Sequence, residues 1–293
     1  MLKRKLRDFH VICIDEDHAS YVRRWYPHIK SVDVLYLSGT KAPESSLVPF
    51  KKRSYQLIFT GTYTNPENIA ELIDNFGLDM KAEIHEMIDI MKEDTSTTCE
   101  KALEIMINRR GGSVDEKADF FPVRMQAYFL ADTYITAYFR EKAVEAVARA
   151  GIPFTLVGHG WEKMKNLCSY QNVNIQNPVG FDKTFNLFAD SQVALNVMPW
   201  FKKGVHDRVF SSMINGCACI TDTSAYIDNH FTDRRDILTF DLDDMDTLSQ
   251  KTATAFDDMD LLESVANSGR KKTLLHGWDN TVSELSHIFE NRT

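Results

Sequence analysis

Short apolar runs and helix-spaced stripes divide this chain into three stretches. FHVICI (9–14) has the length and composition of a buried strand. Asp15 to Tyr26 follows as a helix stopped at Pro27, and Val32 to Leu37 supplies a second strand. Residues 38–54, with Ser, Gly, Pro and Lys51-Lys52-Arg53, read as a linker. YQLIFT (55–60) is a third strand and leads into Gly61-Thr62-Tyr63-Thr64-Asn65-Pro66. Apolar positions then recur at i, i+3, i+4 and i+7, first as Ile69, Leu72, Ile73 and Phe76, then as Ile84, Met87, Ile88 and Met91. Leu103, Met106 and Ile107 continue the stripe until Arg109-Arg110-Gly111-Gly112. Such stripes predict core-facing helices rather than a cofactor box. A long helix is predicted from about Val123 to Ala150, closed by Gly151 and Pro153, so 67–150 is expected to be almost wholly helical.

Beyond Pro153 the rhythm changes. FTLVG (154–158), VNIQ (173–176), VALNV (193–197), CACIT (217–221) and ILTF (237–240) alternate with helical segments at 182–190, 205–215, 225–231, 244–256 and 259–275. This alternation predicts βα crossovers and a doubly wound parallel α/β sheet, with 9–37 outside it or against its edge. Val282, Leu285, Ile288 and Phe289 predict a last helix from about Trp278 to Asn291, after a break at Gly277. There is no internal repeat and no low-complexity tract.

Composition narrows the function classes. With 43% apolar and 26% charged residues the chain can bury a core, which excludes a disordered chain. Its net charge of −8 argues against a general nucleic-acid binder, although residues 1–60 hold 11 basic and 6 acidic side chains. No apolar stretch approaches the ~18 residues of a membrane span, and the basic start Met1–Arg7 leads into too short an apolar run for a signal peptide. Cys13, Cys99, Cys168, Cys217 and Cys219 form an odd set without C-x-x-C, predicting buried free thiols and a reducing, cytoplasmic setting. The nine histidines contain no H-E-x-x-H, and no metal is expected.

Ligands of doubly wound sheets gather beyond the carboxyl ends of the strands, which singles out loops 61–66, 158–161, 177–181, 198–206 and 221–224. Gly158-His159-Gly160-Trp161 either lets backbone approach a ligand closely or is a tight turn. His159 between the glycines would donate to a phosphate or sugar, or point to solvent. Met198 to His206 combines aromatics, Lys202, Lys203 and Gly204, then places His206-Asp207-Arg208 at a helix start. Free amides and cations there suit a diphosphate; alternatively Asp207 is a helix-start residue salt-bridged to Arg208. Asn177 to Phe181 would read a flat ring through its backbone, or form a Pro–Gly turn. The acidic runs Asp15-Glu16-Asp17 and Asp241 to Asp244 read as a helix start and a solvated face.

HDRVFSSMINGCACITD (206–222), preceded by VGHGW and NPVGF, resembles the second half of a GT-B glycosyltransferase of the group-1-like kind that includes spore-coat maturation glycosyltransferases. FTGTYTNPE (59–67) resembles the opening strand and loop of that half, and the resemblance spans roughly 55–290. It implies a nucleotide-sugar donor, an unassigned acceptor and transfer without a metal. Gly61 and Thr62 match the loop facing the cleft, Gly158 and Gly160 (with His159) the glycines beside it, and Val179, Gly180 and Phe181 the segment bordering the base. His206, Asp207 and Arg208 match the helix start near the diphosphate, and Gly216 and Asp222 the glycine and acidic end of the next strand. Two glutamates eight positions apart in group-1 enzymes fall at Lys203 and Ser211 here.

The resemblance also sets the expected organisation: 1–50 as the end of an N-terminal Rossmann-like half with a linker, 51–276 as the nucleotide-sugar-binding domain with a helical insertion at 67–126, and 277–293 as a helix crossing back to residues 1–40. Two functions from different classes are carried forward: a glycosyltransferase or its donor-binding portion, and a non-catalytic nucleotide- or sugar-binding module. Self-association, or pairing with a separate N-terminal half, is expected under either. A nucleotide-sugar epimerase is a third reading, for which no carboxylate–histidine set can be assembled.

Overall fold

The computed structural model describes residues 9–115 and 120–290. Met1–Arg7, residues 116–119 of the expected insertion and Asn291 at the end of the expected last helix lie outside them. The chain opens with β1 (His10–Cys13), α1 (Glu16–Trp25) and β2 (Ser31–Val34). The two strands pair in parallel, His10 beside Ser31 and Cys13 beside Val34, as a sheet of their own. Asp15 decides where α1 begins: its buried carboxylate accepts the Asp17 amide at 2.7 Å and the Lys203 amide at 3.0 Å. One side chain therefore caps the helix and pins this unit to a distant loop. Asp15→Ala is expected to cost about 2 kcal/mol, a lost cap plus a second orphaned amide, and Asp15→Asn much less; urea unfolding of the two variants measures the difference.

The main sheet has six strands: β3 (Tyr55–Thr60), β4 (Phe154–Val157), β5 (Val173–Gln176), β6 (Ser191–Asn196), β7 (Ala218–Asp222) and β8 (Leu238–Phe240). All pair in parallel, in the order β5-β4-β3-β6-β7-β8. Every residue of β4, β6 and β7 is buried, as covering both faces with helices requires. Counted from β3 the order is 3-2-1-4-5-6, whose direction of winding reverses between β3 and β6 and leaves a crevice there.

Between β3 and β4 come α2 (Pro66–Asp74), α3 (Leu78–Glu93), α4 (Cys99–Arg109) and α5 (Phe120–Arg149), with no strand among the described residues. α5 is 30 residues long, about 45 Å at 1.5 Å per residue. Its Phe121 ring stacks on Trp25 of α1 with centroids 4.3 Å apart. Ile69, Ile73 and the Ile84–Met91 stripe are buried, but Leu72 and Phe76 are exposed. The full i, i+3, i+4, i+7 expectation fails there because α2 ends at Asp74 and meets the core along one narrow line.

The second half adds α6 (Phe181–Ala189), α7 (Asp207–Ile214), α8 (Ala225–His230), α9 (Met245–Asp257), α10 (Met259–Thr273) and α11 (Trp278–Glu290). α11 does reach back toward residues 1–40. Trp278 Nε1 donates to Thr40 Oγ1 at 2.9 Å, Ser38 Oγ to Thr281 Oγ1 at 2.6 Å, and the Gly39 amide to the His276 carbonyl at 2.8 Å. The contact is polar; Val282 and Phe289, expected to drive it, are exposed. Cys13, Cys99, Cys217 and Cys219 are buried free thiols, whereas Cys168 is exposed because it sits in a surface turn after Asn166.

Candidate functional site

Two glycine loops meet where β3 and β4 end. Gly61 and Gly158 take φ of +156° and +154°. A Cβ on Gly158 would collide with the Gly61 carbonyl, so the backbones touch only because Gly158 has no side chain. Trp161 Nε1 donates to that carbonyl at 2.7 Å, and the Tyr63 amide donates to the His159 carbonyl at 2.8 Å. These bonds hold the loops against each other and leave a cavity of about 370 Å³ on their far side.

Of the residues singled out in the sequence, Gly61, Thr62, Gly158, Val179, Phe181, His206, Asp207, Arg208 and Ser211 line this one cavity. Thr60, Val157, Pro178, Thr184, Phe185 and Phe188 complete its wall. His159, Gly160 and Gly180 belong to the same loops without lining it. Lys203 lies elsewhere: its ammonium pairs with Asp17 of α1 at 2.7 Å. Asp222 lies beneath the 198–202 loop, where it accepts the Met198 amide at 2.7 Å.

α7 begins at this cavity because His206 caps it, so the helix starts at Asp207, two residues later than the expected 205. His206 Nδ1 takes the Arg208 amide at 3.1 Å and also stands 2.5 Å from Asp207 Oδ1. Burial, the largest influence, lowers the His206 pKa against the pull of Asp207.

Arg208 is the central cation. Its guanidinium donates to Asn196 Oδ1 at 2.9 Å and lies 5.1 Å from the Phe59 ring centroid. Asn196 is itself oriented by its bond to Thr221 Oγ1, 2.9 Å away. Burial, reinforced by Arg140, brings the Arg208 pKa down to about 10, so it remains charged at neutral pH. Arg140, from α5, faces the same ring from 5.9 Å and has a buried Nε without a hydrogen-bond partner. Neither arginine has a carboxylate within ion-pair distance among the described residues. A guanidinium at a helix start with a second one facing the same ring has the chemistry that suits an anion.

Asp222 carries a pH signature. Burial raises its pKa to about 7, and one oxygen lacks a hydrogen-bond partner. The folded chain thus keeps a proton that the unfolded chain releases near pH 3.9. Its contribution to stability is greatest below about pH 4, falls as pH rises to about 7, and is level above. Asp222→Asn should remove that slope; unfolding both proteins in urea at pH 4.5, 6 and 8 reads it as a difference.

The glycosyl transferase-like family model matches residues 140–286, from Arg140 through the cavity loops that follow β4 into α11, with Gly61 and Thr62 outside the match. The chain belongs to that family. No curated protein matches it. Among solved structures it is similar to sucrose-phosphate synthase from Thermosynechococcus elongatus, with TM-score 0.53 and 11% identity over 96% of this chain and 58% of that one. It is similar to S. aureus TarM, solved with UDP, at TM-score 0.54 and 9% identity over 98% and 45%. Anabaena HepE, solved with UDP-glucose, follows at 0.51 and 10% over 96% and 63%. The glycosyl transferase-like chain thus has a GT-B fold and spans between 45% and 63% of the length of these three proteins. Among its described residues no helix is long and apolar enough to cross a membrane.

Proposed function

We propose that this chain is the donor-binding portion of a glycosyltransferase that takes a sugar from a nucleoside diphosphate. The observation that carries the reading is the charged, half-buried Arg208 lining the glycine-loop cavity beside a second guanidinium, with no carboxylate in ion-pair distance among the described residues. Pro178, Val179 and Phe181 offer an apolar wall for a base, and the paired glycines admit phosphates close to the backbone. As the bond from the anomeric carbon to the diphosphate oxygen breaks, negative charge grows on the leaving group. Arg208, Arg140 and the α7 start would stabilise it, which assigns charge neutralisation to protein groups rather than a metal. Pairing with a separate Rossmann-like half, to supply an acceptor, belongs to the same proposal.

One observation favours a binding module without turnover. The positions where group-1 enzymes carry glutamates hold Lys203, which points to Asp17, and Ser211, which accepts the Thr40 amide at 3.0 Å. Titrating UDP, GDP, ADP and TDP calorimetrically, then following UDP release from UDP-glucose, separates the readings. Saturation by one diphosphate below millimolar concentration is expected. Binding without release in the presence of broad acceptor mixtures would select the module, and no binding of any diphosphate at millimolar concentration would overturn both.

A further inference from the structure

A second cavity, of about 430 Å³, lies between α1, the helices α3 to α5, and the loop bearing Trp200 and Lys202. Of the loop residues that the sequence offered to a diphosphate, Lys202 lines this cavity instead. Tyr21, Phe129 and Trp200 give it aromatic faces, and Val22, Met91 and Met125 an apolar floor. Its charges are unbalanced. Asp17 is neutralised by Lys203, but Glu100 and Asp132 have no ion-pair partner within reach among the described residues. The Lys202 ammonium, held by the Thr95 carbonyl, acts on Asp132 and leaves the three carboxylates of the cavity in excess. Burial raises the pKa of both Glu100 and Asp132, against His18 at both and Lys202 at Asp132, so a further cation beside them is favoured. Aromatic faces around carboxylates are the chemistry that recognises protonated amines.

Trp200 separates this cavity from the first. Its ring centroid is 5.5 Å from that of His206, and the Arg140 guanidinium lies 5.8 Å from it on the donor side. We propose that the second cavity binds an amphipathic amine, an apolar or aromatic body whose ammonium seats against Glu100 and Asp132, as the second substrate of the transfer. The role of second substrate rests on the donor reading above; the amine site itself does not.

The test is calorimetric titration of tryptamine and of its anionic counterpart indole-3-propionate, with UDP titrated in parallel. Tryptamine is expected to saturate and to bind at least tenfold more tightly than the acid. Asp132→Asn should weaken tryptamine at least fivefold and leave UDP unchanged, and Arg208→Ala should do the reverse. Equal binding of amine and acid, no saturation by tryptamine at millimolar concentration, or an unaltered tryptamine affinity in Asp132→Asn would each overturn the site. If Asp132→Asn does not fold, Glu100→Gln, on a different helix, gives the same readout; if neither folds, the amine–acid comparison on the unaltered chain decides. Tryptamine binding without any diphosphate binding would remove the donor reading and keep the amine site, whereas the opposite result would remove the amine site alone.

Discussion

Gly158→Ala is expected to destabilise the protein by roughly 3–5 kcal/mol, combining the cost of overpacking with that of a strained φ. The new Cβ has no room, since the obstacle is the Gly61 backbone and not a side chain that can swing aside. Moving that backbone would break the bond from Trp161 to the Gly61 carbonyl, and with it the edge-to-face contact of Trp161 on Phe59 at 5.5 Å. Phe59 in turn carries Arg208. Loss of stability and of diphosphate affinity should therefore appear together. Denaturant unfolding reads the first, calorimetry the second, and a variant as stable as the parent would show that the two loops separate freely.

Arg208→Ala should weaken nucleoside diphosphate binding by roughly 1.5–3 kcal/mol, the worth of a charge-assisted hydrogen bond, or roughly 10- to 150-fold in Kd. Stability should change less. The substitution leaves Asn196 Oδ1 without its donor but also removes a buried charge close to Arg140. Arg208→Lys should bind at an intermediate level, because it keeps the charge and loses both the planar fork and the contact with Phe59. An Arg208→Ala protein that binds like the parent would take the diphosphate out of this cavity.

Strands and helices after Pro153 were legible because buried parallel strands are short apolar runs bounded by loops, and five such runs join YQLIFT in the sheet. The cavity was legible for a related reason: glycines after β3 and β4 and a cation at the start of α7 are local signals at strand ends. Lys203 was misleading, since chain proximity to the loop says nothing of where a long side chain turns, and Asp17 draws it away. Arg140 was missed because it lies in mid-helix, where no loop signal operates. A signal existed: Ala137, Ala143 and Val144, at i−3, i+3 and i+4, are all buried, which sets an arginine on an apolar stripe where a charge needs a purpose. The second cavity, gathered from α1, α3, α4, α5 and a loop near residue 200, depends on tertiary packing that no local spacing encodes.

The length of α5 has a geometric consequence. Asp132 and Arg140 lie on this single helix, eight residues apart, which is about 12 Å of axial rise. The helix thus works as a ruler, fixing a carboxylate of the second cavity against the guanidinium that shares the Phe59 ring with Arg208 of the first. One residue added between them would rotate Arg140 by about 100° about the axis and break the calibration while leaving each wall's composition unchanged.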